Sequence, residues 1–292
     1  MRRLAKQSLL IALIGIPAVA VPILFVAWKS AVDRTTQQQV GSADPFRIAG
    51  NFYYVGTSSH SVFLITGPDG HVVLESGYAP ATIASIAKLG FTIKDVKALI
   101  TSDPHEGAQG MAELQQASGA QLWASEANAR VIAKGGEDPD FAQPIKTFNR
   151  LGAMRYPPAR VDYRLKDGET VRVGPIALTA HITAGSTRGC TSWSFQVRDG
   201  DRMLNVVSAC DLTRDRSSRY AEQDADLERS FRVLRGLRAD IWVTAISRDW
   251  GRYRKFTDSH TEKDPVRPFI DPGGYLAYID AAEGDLRNGV MH

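Results

Sequence analysis

Residues 97–110 read KALITSDPHEGAQG, and this stretch decides the fold class. Its first four residues form a short apolar segment, which predicts a buried strand. A polar loop follows over residues 101–110. Met111 and Leu114 then begin an apolar stripe with the spacing of a helix. A strand, a loop and a helix in this order indicate an α/β unit.

The sequence before this unit predicts a hairpin and a helix. Residues 52–55 and 61–65 are rich in aromatic and branched side chains, which favours strands. Residues 67–70 read GPDG, a turn, and a further strand is predicted over residues 71–74. His71 is interpreted as a solvent-exposed residue beside the turn. Pro80 opens the predicted helix.

The sequence after the unit repeats the same plan. Strands are predicted over residues 120–125, 171–173, 176–182, 191–197, 203–208 and 240–244. Leu227, Phe231 and Leu234 form the apolar stripe of one helix, and Asp271-Pro272 begins another. Because helices and hairpins are both present, we predict an α/β fold with mixed sheets. Two similar halves would form one domain with helices on its outer faces.

The composition is that of a folded protein and carries no signature of nucleic-acid binding. The 292 residues are 43% hydrophobic, and 35 basic and 32 acidic residues give a net charge of +3. The basic residues are interspersed with acidic ones, so we expect no nucleic acid as partner. Cys190 and Cys210 are too few for a disulfide scaffold or a four-cysteine metal site. They are interpreted as small buried residues, and whether they pair is left open.

The amino terminus predicts export. Basic residues precede an uncharged segment from Ser8 to Trp28, long enough to span a bilayer. Ala18-Val19-Ala20 also fits a signal-peptidase site. Residues 1–29 are therefore a signal peptide or an N-terminal transmembrane anchor, with residues 9–28 in the membrane if uncleaved. Residues 30–45 are a polar linker and residues 46–292 the folded domain. We expect a periplasmic protein, tethered to the inner membrane if the leader is kept.

Several sequence motifs in the domain resemble those of the metallo-β-lactamase superfamily, and specifically of the subclass B3 β-lactamases. The motifs, in chain order, are NFYYVGT (51–57), LGF (89–91), DVK (95–97), DGETV (167–171), LTAH (178–181), TRGCTSW (187–193) and PFIDPGGY (268–275). The resemblance implies a four-layer αββα sandwich with mixed sheets and an active site along one edge, between the sheets. It also implies a hydrolase in which two zinc ions activate a hydroxide.

The zinc ligands that the resemblance implies are mostly absent. The family uses a His-x-His-x-Asp-His loop, a histidine in a Gly-His-Thr turn and a late histidine. Aligned to it, the loop of this chain is one residue shorter. The family's metal positions are then held by Asp103, His105, Glu106, Gly107, Ser186 and Ile246. Of these only His105 matches, so we expect the dinuclear zinc site to be absent.

Three functions remain open at this point, and the third, a structural or partner-binding module at the membrane, has no sequence feature that speaks for it directly. The first is a non-hydrolytic homologue, a pseudoenzyme whose cleft binds a small molecule and needs no cofactor. The second is a metal-dependent hydrolase of β-lactams, lactones or esters. It would hold one hard ion, or zinc weakly, with the set Asp103, His105, Glu106 and Asp211. Outside this set, His60 is interpreted as a loop surface residue and His181 as a hydrogen-bonded structural histidine.

Overall fold

The computed structural model describes residue 41, residues 43–214 and residues 219–291. The predicted leader, with its membrane segment at residues 9–28, lies outside the described residues, as does most of the linker. Within the described ranges, no helix combines the length and the apolar character needed to cross a bilayer. At the end of the linker, Ala43 packs against the core and Asp44 lies 3.7 Å from the Lys88 ammonium.

The first sheet has seven strands that follow one another in chain order. They are β1 (Phe46–Ala49), β2 (Phe52–Tyr54), β3 (Phe63–Ile65), β4 (His71–Leu74), β5 (Val96–Ile100), β6 (Gln121–Ser125) and β7 (Tyr163–Leu165). Strands β1 to β4 pair antiparallel, whereas β4 to β7 pair parallel. The sheet is therefore mixed, as predicted, since hairpins join its first part and crossovers its second.

The second sheet has five strands in the order β12-β11-β10-β9-β8. They are β8 (Thr170–Val173), β9 (Ile176–Ile182), β10 (Thr191–Asp199), β11 (Arg202–Ala209) and β12 (Ile241–Thr244). All pairs are antiparallel except β11 with β12, which is parallel. Strands β9, β11 and β12 consequently run in the same direction, and their carboxyl ends lie at one edge of the sheet.

Seven helices are described. They are α1 (Ala79–Lys88), α2 (Met111–Ser118), α3 (Glu126–Ile132), α4 (Ile145–Arg150), α5 (Gln223–Gly236), α6 (Arg252–Ser259) and α7 (Pro272–Arg287). Short 3₁₀ turns occur at Ile93–Asp95 and Arg267–Phe269. Asp271 caps α7, because its carboxylate accepts a hydrogen bond from the Gly274 amide at 2.9 Å.

The core is divided between two sets of side chains because strand residues alternate between faces. In β3, Phe63 and Ile65 join the cluster that the two sheets share, whereas Leu64 packs with α1 and α2. On the second sheet, Trp242 of β12 stacks on Tyr278 of α7 at 5.2 Å. Burying each large apolar side chain contributes about 1.5–3 kcal/mol. The layers are thus helix, sheet, sheet and helix, which confirms the four-layer prediction.

Two expectations need correction. The sheets are not similar halves, since one has seven strands and the other five. His71 is not solvent-exposed: it lies in β4 and is buried, and its ring meets Phe91 edge-on at 5.3 Å. Because His71 belongs to the strand itself and lies opposite Val96 of β5, it is covered by its neighbours in the sheet. The prediction for His181 is confirmed, because its Nε2 lies 2.8 Å from the Ser194 hydroxyl.

Candidate functional site

A cavity of about 310 Å³ opens where loops from the two sheets meet, which is within the size range of small-molecule sites. Its walls come from the loops after β5, β9, β11 and β12, from the segment between α3 and β7, and from α7. The lining residues include Asp103, His105, Glu106, Phe141, Met154, Tyr156, Ser186, Thr187, Asp211, Ile246, Asp249 and Tyr278. The sequence-predicted positions Asp103, His105, Glu106, Ser186, Ile246 and Asp211 are therefore brought together, and Gly107 lies behind the wall.

Glu75, which the sequence reading missed, fixes the loop after β5. The side chain is buried at the end of β4, where one carboxylate oxygen accepts a hydrogen bond from the Ser102 amide at 2.9 Å. The other oxygen accepts from the Thr101 hydroxyl at 3.0 Å. Burial, and next the charge of Asp103, raises the pKa of Glu75 to about 8. A carboxylate directly after a buried strand was the signal that could have identified it.

The backbone of Glu75 has a φ of +69°, a left-handed conformation that side chains other than glycine rarely adopt. Such a conformation costs on the order of 1–3 kcal/mol and persists where surrounding contacts hold it. Here the contacts are the two hydrogen bonds to the loop and the bond from the Glu75 amide to the Ile100 carbonyl at 2.9 Å. Glu75 is thus held in place, and its carboxylate anchors the loop after β5 through these two hydrogen bonds.

Gly107 is the residue that the sequence prediction aligns with the family's third loop histidine, and the structure leaves no room for a side chain there. A Cβ atom on Gly107 would lie 2.1 Å from the Glu75 carboxylate and 2.7 Å from the Thr101 hydroxyl. Both distances are far below van der Waals contact. The Glu75 side chain and a glycine at position 107 are therefore complementary, and a histidine at this position requires the carboxylate to move.

His105, the one histidine that matches the family set, already has partners. Its Nε2 lies 3.0 Å from the Asp138 carboxylate, and its ring stacks on Phe141 at 4.7 Å. Burial opposes the charged imidazole, but the hydrogen bond to Asp138 and the charges of Asp103 and Asp138 outweigh it and raise the pKa of His105. The imidazole ring is thus held in place by a hydrogen bond, and its protonated form is favoured.

Glu106 is paired with His60 across the cavity mouth. The His60 Nε2 lies 3.3 Å from the Glu106 carboxylate. The hydrogen bond between them raises the pKa of His60 and lowers the pKa of Glu106. His60 is therefore not a simple loop surface residue, as the sequence suggested, but a neighbour of the site. Its loop reaches the site because its backbone bridges to Ile246.

The Asp103 side chain forms its hydrogen bond within its own loop, the loop after β5. One of its carboxylate oxygens accepts a hydrogen bond from the His105 amide at 2.7 Å. Burial raises the pKa of Asp103, and the charge of Glu106 adds to this, while His105 acts in the opposite sense. On the far wall, the Asp211 carboxylate accepts hydrogen bonds from the amide and the hydroxyl of Thr213, both at 2.8 Å.

Of the two remaining family positions, Ser186 lies beside a disulfide bond. Cys190 and Cys210 are bonded, with their Cα atoms 5.8 Å apart, and this joins the loop before β10 to the end of β11. Both residues are buried, as predicted, and the pairing is new information from the structure. Ser186 is buried next to Cys190. Ile246 offers only hydrocarbon to the cavity.

The residues present do not fit the family's zinc pair. A zinc site needs at least three donor groups aimed at one point. In residues 41, 43–214 and 219–291, no three histidine, cysteine, aspartate or glutamate side chains are arranged to hold a metal ion. His105 faces Asp138, and Gly107 and Ile246 have no donor. The residual metal set of Asp103, His105, Glu106 and Asp211 stays a prediction, since its members share a cavity without converging in this way.

Comparison with solved structures places this fold and site in context, although no family model matches the chain. The Rm3 metallo-beta-lactamase is 36% identical, with a TM-score of 0.78, over 87% of this chain and 96% of that one. The native FEZ-1 metallo-beta-lactamase from Legionella gormanii is 30% identical, with a TM-score of 0.78, over 85% and 96%. BJP-1, a subclass B3 metallo-beta-lactamase of Bradyrhizobium japonicum, is 27% identical, with a TM-score of 0.77, over 86% and 95%.

Proposed function

Because the chain belongs to the metallo-β-lactamase family and is similar to its subclass B3 members, we propose that it is a non-hydrolytic homologue whose cleft binds a small molecule without turnover. The observation that carries the proposal is the state of the six metal positions. Each either lacks a donor side chain or has a donor engaged by the protein itself. The cavity remains open although the family's ligands are replaced.

The pairing of the donors supports this proposal more strongly than the substitutions alone. In a zinc enzyme the cation balances the charges of the loop carboxylates. In this chain His60 lies against Glu106 and Asp138 lies against His105, at 3.3 and 3.0 Å. His60 thus gives Glu106 a basic partner, and Asp138 engages the imidazole that would otherwise be free to bind a metal ion. The loop therefore has a defined structure that depends on hydrogen bonds rather than on a bound cation.

The experiment is to purify the full-length chain without added metal and to measure its zinc by elemental analysis, together with hydrolysis of a β-lactam. The Rm3 metallo-beta-lactamase, prepared in the same way, serves as the positive control. We expect zinc well below one ion per chain and no turnover above the buffer rate, also after zinc is added. Near-stoichiometric zinc with β-lactam hydrolysis would contradict the proposal.

The alternative is a hydrolase with an altered single-metal site. One observation favours it: Asp103, His105 and Asp211 line the same cavity, so a modest rearrangement of side chains would bring their donors closer. This alternative predicts metal-dependent turnover of a lactam or an ester. That activity would be lost in both His105→Ala and Asp211→Ala, and equal activity in a chelator excludes it.

We further propose that the protein is exported and, if its leader is uncleaved, tethered to the inner membrane. The buried bond between Cys190 and Cys210 supports this, because structural disulfides persist mainly in oxidising compartments. Labelling of the oxidised and reduced thiols in fractionated cells tests it. We expect both cysteines to be protected from alkylation in the membrane or periplasmic fraction, whereas free thiols in the cytosol would contradict the proposal.

A further inference from the structure

Four carboxylates of the described chain line the cavity, those of Asp103, Glu106, Asp211 and Asp249. Burial, and next the charges of Asp211 and Asp249, hold the pKa of the Tyr278 phenol well above its usual value. Asp103 and Glu106 lie in the loop after β5, Asp211 follows β11 and Asp249 follows β12, so the carboxylates come from three separate segments of the chain.

The basic groups near the cavity do not cancel this charge. Among the described lining residues there is no lysine or arginine, and the one imidazole, that of His105, is paired with Asp138. His60 forms an ion pair with Glu106 and with no other carboxylate of the described cavity lining. Arg248 lies 3.4 Å from Asp249, but its side chain is 90% exposed and points to solvent, where screening weakens it. Carboxyl groups therefore outnumber basic groups among the described residues that line the cavity.

Between the carboxylates, the walls are apolar. Phe141, Met154, Ile246 and Tyr278 contribute hydrocarbon surface. The hydroxyl of Tyr156 is already engaged, because it donates a hydrogen bond to the Pro104 carbonyl. Such walls suit a ligand with an apolar body, since they offer that body no hydrogen bonds.

Thr187 provides a second, independent indication of a ligand. It lines the same cavity, and only 8% of its surface is exposed. Its hydroxyl oxygen has no hydrogen-bond partner within the described chain. Buried hydroxyl groups normally have a partner, so an unpaired one beside a cavity indicates a place where a bound molecule completes the hydrogen bonding. A donor from a ligand would satisfy its oxygen.

We infer that this cavity binds an organic ammonium ion with an apolar body, and that Thr187 and the carboxylates accept its N–H groups. The inference rests on the proposed ligand-binding function and names its ligand class. It also reverses the charge preference expected of a β-lactamase. A β-lactam antibiotic carries a carboxylate, which the acidic cavity repels in the absence of a cation that would balance it.

The test measures binding of three matched probes to the purified full-length chain by calorimetry, in the presence of a chelator. Benzylammonium, benzyl alcohol and benzoate have the same ring with a positive, neutral or negative group. We expect benzylammonium to bind at least about tenfold more tightly than benzyl alcohol, and benzoate not to bind. The preference should shrink as salt is added, because charge causes it.

Two variants test whether the preference for benzylammonium arises in the cavity. Asp249→Asn removes one cavity charge and should abolish most of the preference for benzylammonium over benzyl alcohol. Asp201→Asn makes the same change on the exposed turn between β10 and β11 and should leave the preference unchanged. If Asp249→Asn unfolds, Asp211→Asn, which also removes a carboxylate from the cavity lining, provides the same comparison.

The inference is overturned if benzylammonium fails to bind, if it binds no better than benzyl alcohol, or if Asp201→Asn has the same effect as Asp249→Asn. Such a failure is separable from failure of the proposed function. A chain that neither hydrolyses β-lactams nor binds benzylammonium contradicts the ligand class alone. A chain that holds stoichiometric zinc and hydrolyses β-lactams contradicts the non-hydrolytic function itself.

Discussion

The Nε2 atom of His105 lies 3.0 Å from the carboxylate of Asp138, and the imidazole stacks on Phe141 three residues further along. The segment around Asp138 is itself anchored, because Asp140 accepts a hydrogen bond from the Arg188 guanidinium at 2.8 Å. A loop from the first half of the chain is thus tied to the turn before β10 and holds His105 in one orientation. This contact makes the imidazole part of the wall of the cavity.

The first prediction concerns this pair. In Asp138→Asn the pKa of His105 should fall, because the negative charge that favours the imidazolium is removed. Loss of the charged partner of a mostly buried group should also lower the free energy of unfolding by about 1–3 kcal/mol. Titration of the His105 ring protons by NMR and urea unfolding measure the two effects. An unchanged pKa of His105 would show that the two side chains are not paired in solution.

The same pair predicts a pH dependence. Since the pKa of His105 is raised in the folded state, its contribution to stability is complete below the unfolded value of about 6.5. It is lost as the pH rises through the folded value. Urea unfolding of the wild type and Asp138→Asn across this range should show the difference between them shrinking at high pH. A difference that grows with pH would contradict the assignment.

Glu75 predicts a separate pH dependence. Its pKa of about 8 in the folded state exceeds that of the unfolded chain, so the folded state holds its proton more tightly. Stability from this group is greatest below about pH 4.3 and is lost as the pH rises toward 8. In Glu75→Gln, which is neutral at every pH, the decline in unfolding free energy between pH 5 and 8 should be smaller by on the order of 2 kcal/mol. An identical decline in both proteins would contradict it.

Gly107 and Glu75 should be energetically coupled. A methyl group on Gly107 would collide with the Glu75 carboxylate, so Gly107→Ala should lower the free energy of unfolding by about 1–3 kcal/mol. In a Glu75→Asp background, where the carboxylate is one methylene further back, the cost should be smaller. Gly284→Ala in α7, where nothing lies within 4 Å, is the matched control and should be neutral or stabilising. Additive effects at positions 75 and 107 would exclude the coupling.

The disulfide bond should contribute measurably to stability. It closes a loop between residues 20 apart, for which chain entropy suggests about 3 kcal/mol. Reduction should therefore shift the urea midpoint of the wild type downward. The Cys190→Ala/Cys210→Ala variant should unfold at the lower midpoint with or without reductant. A wild-type midpoint that does not respond to complete reduction would show that the bond is absent or without effect.

The sequence predicted many of the strands and helices because such elements leave local signals in the residue pattern. The strand over residues 71–74 and the helix around Leu227 were found where they were predicted, since apolar spacing reports which face is buried. The interpretation of His71 was wrong because local signals do not report distant neighbours. A turn beside His71 suggested exposure, but Phe91, which covers it, lies 20 positions away. Short elements such as β7 and α4 were missed because so few residues give little periodicity.

The sequence predicted the αββα architecture and the family, which are confirmed, and it predicts that Gly107, Ser186 and Ile246 replace donor residues of the family, because these inferences depend on residue identity and order. Only the tertiary structure decided what fills the places of those donors. Glu75 beneath Gly107, Asp138 beside His105 and the bond between Cys190 and Cys210 join residues distant in the chain. Hydrogen bonds and ion pairs act over about 3 Å, so a pattern read along one strand cannot reveal a partner that reaches it from another loop.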